Sequence, residues 1–123
     1  MNVSTKDGDF KHKTVQEIEQ LIRNSAASSP DDIWISGKDN YPCLSILITG
    51  NLANVNYFLN DCGDLWVSEG DGAYNEDLSI CVDGVAYSMG ADTIISIEQV
   101  IECMKQFCID IYTMPNCIKW MEL

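Results

Sequence analysis

Apolar positions fall into two kinds of period along this chain. Val15, Ile18, Leu21 and Ile22 recur at helical spacing. Thr14-Val15-Gln16-Glu17 in front of them is a capping-box pattern, so the first helix is predicted over about Val15 to Asn24. Ile97, Val100, Ile101, Met104, Phe107 and Cys108 form a second helical stripe behind Ser96-Ile97-Glu98-Gln99, another capping box, which predicts a helix over about Ile97 to Asp110.

Between the helices the runs are shorter and strand-like. They are Asp32 to Ser36, Cys43 to Thr49, Leu52 to Leu59 and Leu65 to Val67. Gly37 to Asn40, Gly50-Asn51 and Asn60 to Asp64 are the turns that separate them. Leu78 to Val82, Asp83-Gly84 and Val85 to Met89 spell a two-residue hairpin of type I′. A last strand, Cys117 to Met121, follows Met114-Pro115-Asn116. The short links imply antiparallel neighbours. The predicted architecture is α+β: an antiparallel sheet of about five to seven strands, with an N-terminal and a C-terminal amphipathic helix packed on it. Residues 1–13 are polar and read as a flexible leader, and residues 14–123 as one domain.

Charge changes this picture most. The chain holds 19 acidic and 7 basic residues, a formal net charge of −12. Residues 39–104 contain no Lys or Arg, while Asp39, Asp61, Asp64, Glu69, Asp71, Glu76, Asp77, Asp83, Asp92, Glu98 and Glu102 all lie there. Such a surface repels phosphate backbones and anionic lipids, which argues against direct nucleic-acid or membrane binding. It attracts a basic protein and speeds the encounter. Solubility is the plainer explanation of an acidic surface. The first thirteen residues lack an apolar h-region, and no window reaches the roughly 20 apolar residues of a spanning helix, so the cytoplasm is the expected compartment.

Catalytic constellations are scarce. His12 is the single histidine and sits between Lys11 and Lys13 in the polar leader, with nothing to hold it in place as a base. Triads and zinc sites that need histidine are therefore missing. Gly70-Asp71-Gly72 has no phosphate-loop frame. The acid pairs around Asp61 and Asp64, and around Glu69 and Asp71, do not fit an EF-hand frame. No catalytic residue, metal site or cofactor is expected, and the chain is not expected to be an enzyme. The six cysteines have no C-x-x-C pair; Cys43, Cys81, Cys103 and Cys117 adjoin apolar residues and are expected to be small buried hydrophobes.

Aromatics adjoin the acids. Trp66 stands near Asp64 and Glu69, and Tyr74 between Asp71 and Glu76. Each suits either packing or an interface anchor. The candidate partner-binding residues are Asp61, Asp64, Trp66, Glu69, Asp71, Tyr74, Glu76, Asp77 and Asp83, nearly all in predicted turns and loops.

Ile95-Ser96-Ile97-Glu98-Gln99-Val100-Ile101-Glu102, Lys105-Gln106-Phe107, Pro115 and Ile118-Lys119-Trp120-Met121-Glu122-Leu123 together resemble the Imm1 group of bacterial immunity proteins. That group joins an amphipathic helix with a Phe-containing turn to a Pro and a terminal strand carrying Trp. Asn54-Val55-Asn56-Tyr57 and Ser68-Glu69-Gly70 resemble its central hairpin. Within the group the likeness is to the immunity protein of an interbacterial double-stranded DNA deaminase toxin. It covers residues 14–123 in layout and 95–123 in detail. It departs at Met114, where an Arg before the Pro is common, and in loop 68–77.

The resemblance implies a protein that binds a cognate toxin, of a kind that often acts on nucleic acid, as a 1:1 heterodimer and blocks its basic substrate cleft. The competing function is an acidic adaptor module for another basic protein.

Overall fold

The computed structural model describes residues 1–123. In chain order the elements are β1 (Asn2–Thr5), β2 (Gly8–Phe10), α1 (Val15–Ala27), β3 (Asp31–Ser36), β4 (Cys43–Thr49), β5 (Leu52–Phe58), β6 (Leu65–Glu69), β7 (Leu78–Val82), β8 (Val85–Met89), β9 (Ile95–Ser96), α2 (Ile97–Ile109) and β10 (Lys119–Glu122). The main sheet runs β10-β6-β5-β4-β3-β1-β2, with the two-residue β9 paired to β5. All of its pairings are antiparallel. The predicted α+β sheet with two covering helices is therefore the observed fold.

Both capping boxes form. Thr14 accepts the N–H of Glu17 and Glu17 accepts the N–H of Thr14, and Ser96 and Gln99 do the same for α2. Each helix then turns its apolar stripe to one face of the sheet. Ile18 and Ile22 of α1 and Val100, Ile101, Met104 and Phe107 of α2 meet Ile33, Ile35, Leu44, Ile46, Ile48, Ala53, Val55 and Tyr57. These strand residues lie at alternate positions, as one pleated face requires. Tyr57 is the hub: its ring lies 6.2 Å from Phe107, 6.2 Å from Trp66 and 6.4 Å from Trp120, and its hydroxyl donates to the Ile111 carbonyl at 2.8 Å. The terminal strand is thus tied to the centre of the sheet by Trp120.

The opposite face is covered in part. The β7–β8 hairpin forms its own two-stranded sheet and packs Ile80, Val82 and Met89 against Leu47 and Ile94. That second small core makes β4 buried on both faces, which accounts for the continuous apolar run Ile46-Leu47-Ile48. The hairpin turn has Asp83 at φ +51° and Gly84 at φ +81°, the left-handed pair a type I′ turn needs.

The structure differs from the expected flexible leader. Residues 2–10 are a hairpin that extends the sheet beyond β3. Val3, opposite Ile35, is the one side chain it buries in the core. The rest is fixed by polar bonds: the Lys6 amide donates to Asp31, its ammonium to Ser29 and to the Pro30 carbonyl, and the Lys13 amide to the Met1 carbonyl. A strand held by one apolar contact and backbone pairing leaves little hydrophobic period to detect. Of the four cysteines expected to be buried, Cys43 and Cys103 are, while Cys81 and Cys117 are exposed. Cys81 is on the outward face of β7, alternate to Ile80 and Val82, and Cys117 precedes β10.

Candidate partner-binding surface

The nine candidate residues do not form one patch. Asp61 and Asp64 sit in the β5–β6 connection, where Asn60 donates to Asp64 at 2.7 Å and the Cys62 thiol to Asp61 at 3.4 Å. That bond and the carboxylate charge raise the Cys62 thiol pKa. Glu69, Asp71, Tyr74, Glu76 and Asp77 lie at the far end of β6. At about 3.4 Å per residue, the five-residue strand separates the two groups by about 14 Å. Asp83 occupies the tip of the β7–β8 hairpin.

Loop 69–77 is a shaped segment. The Gly70 amide donates to the Asp92 carbonyl at 2.7 Å, Asp71 accepts the Ala73 amide at 3.0 Å, and Asp77 accepts the Ala91 amide at 2.8 Å. Tyr74, 41% exposed, stands with Asp71 on a cleft of about 260 Å³ that also includes Leu52, Ile94 and Gln99. Glu69, Asp71, Glu76 and Asp77 are exposed. Trp66 is different: it is half-buried on the helix side of the sheet, packed against Tyr57.

The ion pairs show where charge is neutralised. Lys13 pairs with Glu17, Arg23 with Glu19 and Glu98, and Lys105 with Glu19. All of them lie on or beside the helices. Hydrogen bonds from Arg23 hold the Glu19 and Glu98 carboxyls below their ordinary values. Asp61, Asp64, Glu69, Asp71, Glu76, Asp77 and Asp83 take part in none of these pairs. Lys119 stands opposite Glu69 in the β10–β6 register and is the nearest basic position along those strands.

The sequence reading missed an aromatic surface on the open part of the sheet. Trp34, 37% exposed, stacks on Phe58 with ring centroids 5.3 Å apart, and its indole N–H donates to Asp32 at 3.0 Å. Burial raises the Asp32 carboxyl pKa, against the pull of that bond. Trp34, Tyr41 and Phe10 border a groove of about 430 Å³. The signal was available: Asp32, Trp34 and Ser36 alternate with buried Ile33 and Ile35, so Trp34 had to face away from the helices. The 59–64 loop leaves the sheet directly after Phe58, which brings Asp61 and Asp64 to this end.

No helix is long and apolar enough to cross a membrane. A search of curated proteins finds no match. The family model described as Immunity protein Imm1 matches residues 6–122, nearly the whole chain and well beyond the C-terminal third that carried the resemblance. The chain therefore belongs to the Imm1 family of immunity proteins, whose role is to bind a cognate toxin.

Proposed function

We propose that this immunity protein neutralises a basic toxin that acts on nucleic acid, such as a DNA deaminase, by seating its acidic surface over the toxin's substrate cleft. The observation that carries the reading is the location of the ion pairs: cations meet acids on the helix layer, and the turn and loop acids of residues 61–83 have none. A nucleic-acid cleft is lined with basic groups, and an unneutralised acidic surface is complementary to it. Asp61, Asp64, Glu69, Asp71, Glu76, Asp77 and Asp83 supply the field, and Tyr74 is an anchor within it. Trp34 and Tyr41 are further anchors, since exposed Trp and Tyr are the residues that interfaces bury with most effect.

Two acidic groups about 14 Å apart fit within one interface, because a standard patch of about 800 Å² per partner is wider than that separation. The complex is read as a 1:1 heterodimer in the cytoplasm, without a cofactor and without catalysis by this chain.

The test uses the toxin encoded beside this gene. The two proteins are co-expressed, purified together and assayed on the toxin's nucleic acid. Protection of growth, copurification and inhibition that weakens as substrate concentration rises support the reading. Protection with inhibition indifferent to substrate places the contact away from the cleft and overturns it. In the same assay Trp34→Ala is expected to raise Kd about 10- to 30-fold, the effect of truncating an aromatic anchor. An unchanged Kd removes the aromatic face from the interface.

A further inference from the structure

Cys103 and Cys117 bring their sulfurs within 3.3 Å of each other, across the gap between α2 and the segment that leads into β10. Cys103 is buried and Cys117 exposed. The segment bearing Cys117 is fastened on both sides. The Asn116 amide donates to the Gln106 side chain at 2.8 Å, and the Trp120 indole N–H to the Pro115 carbonyl at 2.6 Å. The two thiols are thus held together by bonds that do not involve either sulfur.

We infer that Cys103 and Cys117 are an oxidisable dithiol, which a peroxide closes to an intramolecular disulfide that fastens β10 to α2. Bonding requires the sulfurs to approach by about 1.3 Å, to the usual length of about 2.0 Å. The exposed Cys117 thiolate attacks one peroxide oxygen. The O–O bond breaks, the departing hydroxide leaves as water on taking a proton, and Cys117 becomes a sulfenic acid. The Cys103 sulfur then attacks the Cys117 sulfur. The S–S bond forms, the S–O bond breaks, and the leaving hydroxide takes the Cys103 proton. Two thiols and one peroxide give one disulfide and two waters. Burial raises the Cys103 pKa and slows its attack, and contact with the sulfenic sulfur offsets this. Cys62 and Cys81, also exposed, are free cysteines without a neighbouring sulfur, and the Cys62 thiol donates instead to Asp61.

The experiment treats the purified full chain with hydrogen peroxide, in a background carrying Cys62→Ser and Cys81→Ser. Intact mass is expected to fall by about 2 Da, peptide mapping to link Cys103 to Cys117, and Tm to rise by about 10 °C through closure of the loop. Cys117→Ser, at an exposed position, is expected to abolish all three changes. Three results overturn the inference: Cys117 advancing to sulfinic acid while Cys103 stays alkylatable, mass loss that persists in Cys117→Ser, or no reaction at peroxide levels that oxidise free cysteine.

Discussion

Reversing Glu69, Asp71 and Glu76 together to lysine is expected to slow association with the toxin about 100-fold in dilute buffer, within the span that electrostatic steering commands. Each reversal moves the charge by two, so the formal net charge rises from −12 to −6. The change also falls on acids that take part in none of the ion pairs, with Lys119, across from Glu69, the nearest basic position. Asp77 is left in place because its carboxylate accepts the amide of the distant Ala91 and ties the loop to it, whereas the Asp71 bond to the Ala73 amide is local. The three reversed side chains are exposed, and the one hydrogen bond lost is the local Asp71–Ala73 bond, so folding stability should fall by no more than about 1.5 kcal/mol. The loss should be in the on-rate and should shrink as salt is added. Stopped-flow association at several salt concentrations measures it. An on-rate equal to that of the unaltered protein takes loop 69–77 out of the steering surface.

Gly70→Ala is expected to destabilise the fold by about 3 kcal/mol and to lower Tm by about 10 °C. A methyl group there would lie 2.5 Å from the Ile94 carbonyl oxygen and 3.3 Å from that of Asp92. Both are backbone atoms, and Ile94 leads directly into β9 and α2, so neither can swing aside as a side chain would. The Gly70 amide also donates to Asp92, which pins the loop to the 3₁₀ turn at Ala91–Thr93. Gly72→Ala is the comparison. It has φ +81° and open space around it, so its cost is backbone strain alone, about 1 kcal/mol. Denaturant unfolding of both variants checks the difference. Equal, small losses would mean that loop 69–77 is not anchored at Gly70.

Much of the fold was legible because local rules agreed with one another. The capping boxes at Thr14 and Ser96 mark the helix starts where the structure has them, and Asp83-Gly84 marks its hairpin. The leader was not legible, since Val3 is its one core side chain and Lys6 anchors it to Ser29, Pro30 and Asp31, far along the chain. Nor did the runs show that β7 and β8 leave the main sheet: period two says that a strand has an inner face, not which layer it meets.

The candidate site was half legible. Its acids were visible as a charge pattern, but pairing β6 between two loops sets Asp61 and Asp64 apart from Glu69 and Asp71. Trp66 and Trp34 show the other difficulty. Both are aromatics in strands; alternation with Ile33 and Ile35 turns Trp34 outward, but only the register sets Trp66 beside Tyr57 inside and Phe58 within reach of Trp34 outside. Phe107 and Trp120, two of the residues that carry the family resemblance, both pack on Tyr57 in the core.

The most direct measurement is the association rate of the purified toxin and immunity protein from about 10 mM to about 500 mM salt, over which the screening length falls several-fold. A field of unpaired carboxylates drawing in a positive cleft predicts a rate at least 10-fold slower at the high end. Identical rates across that range would contradict it.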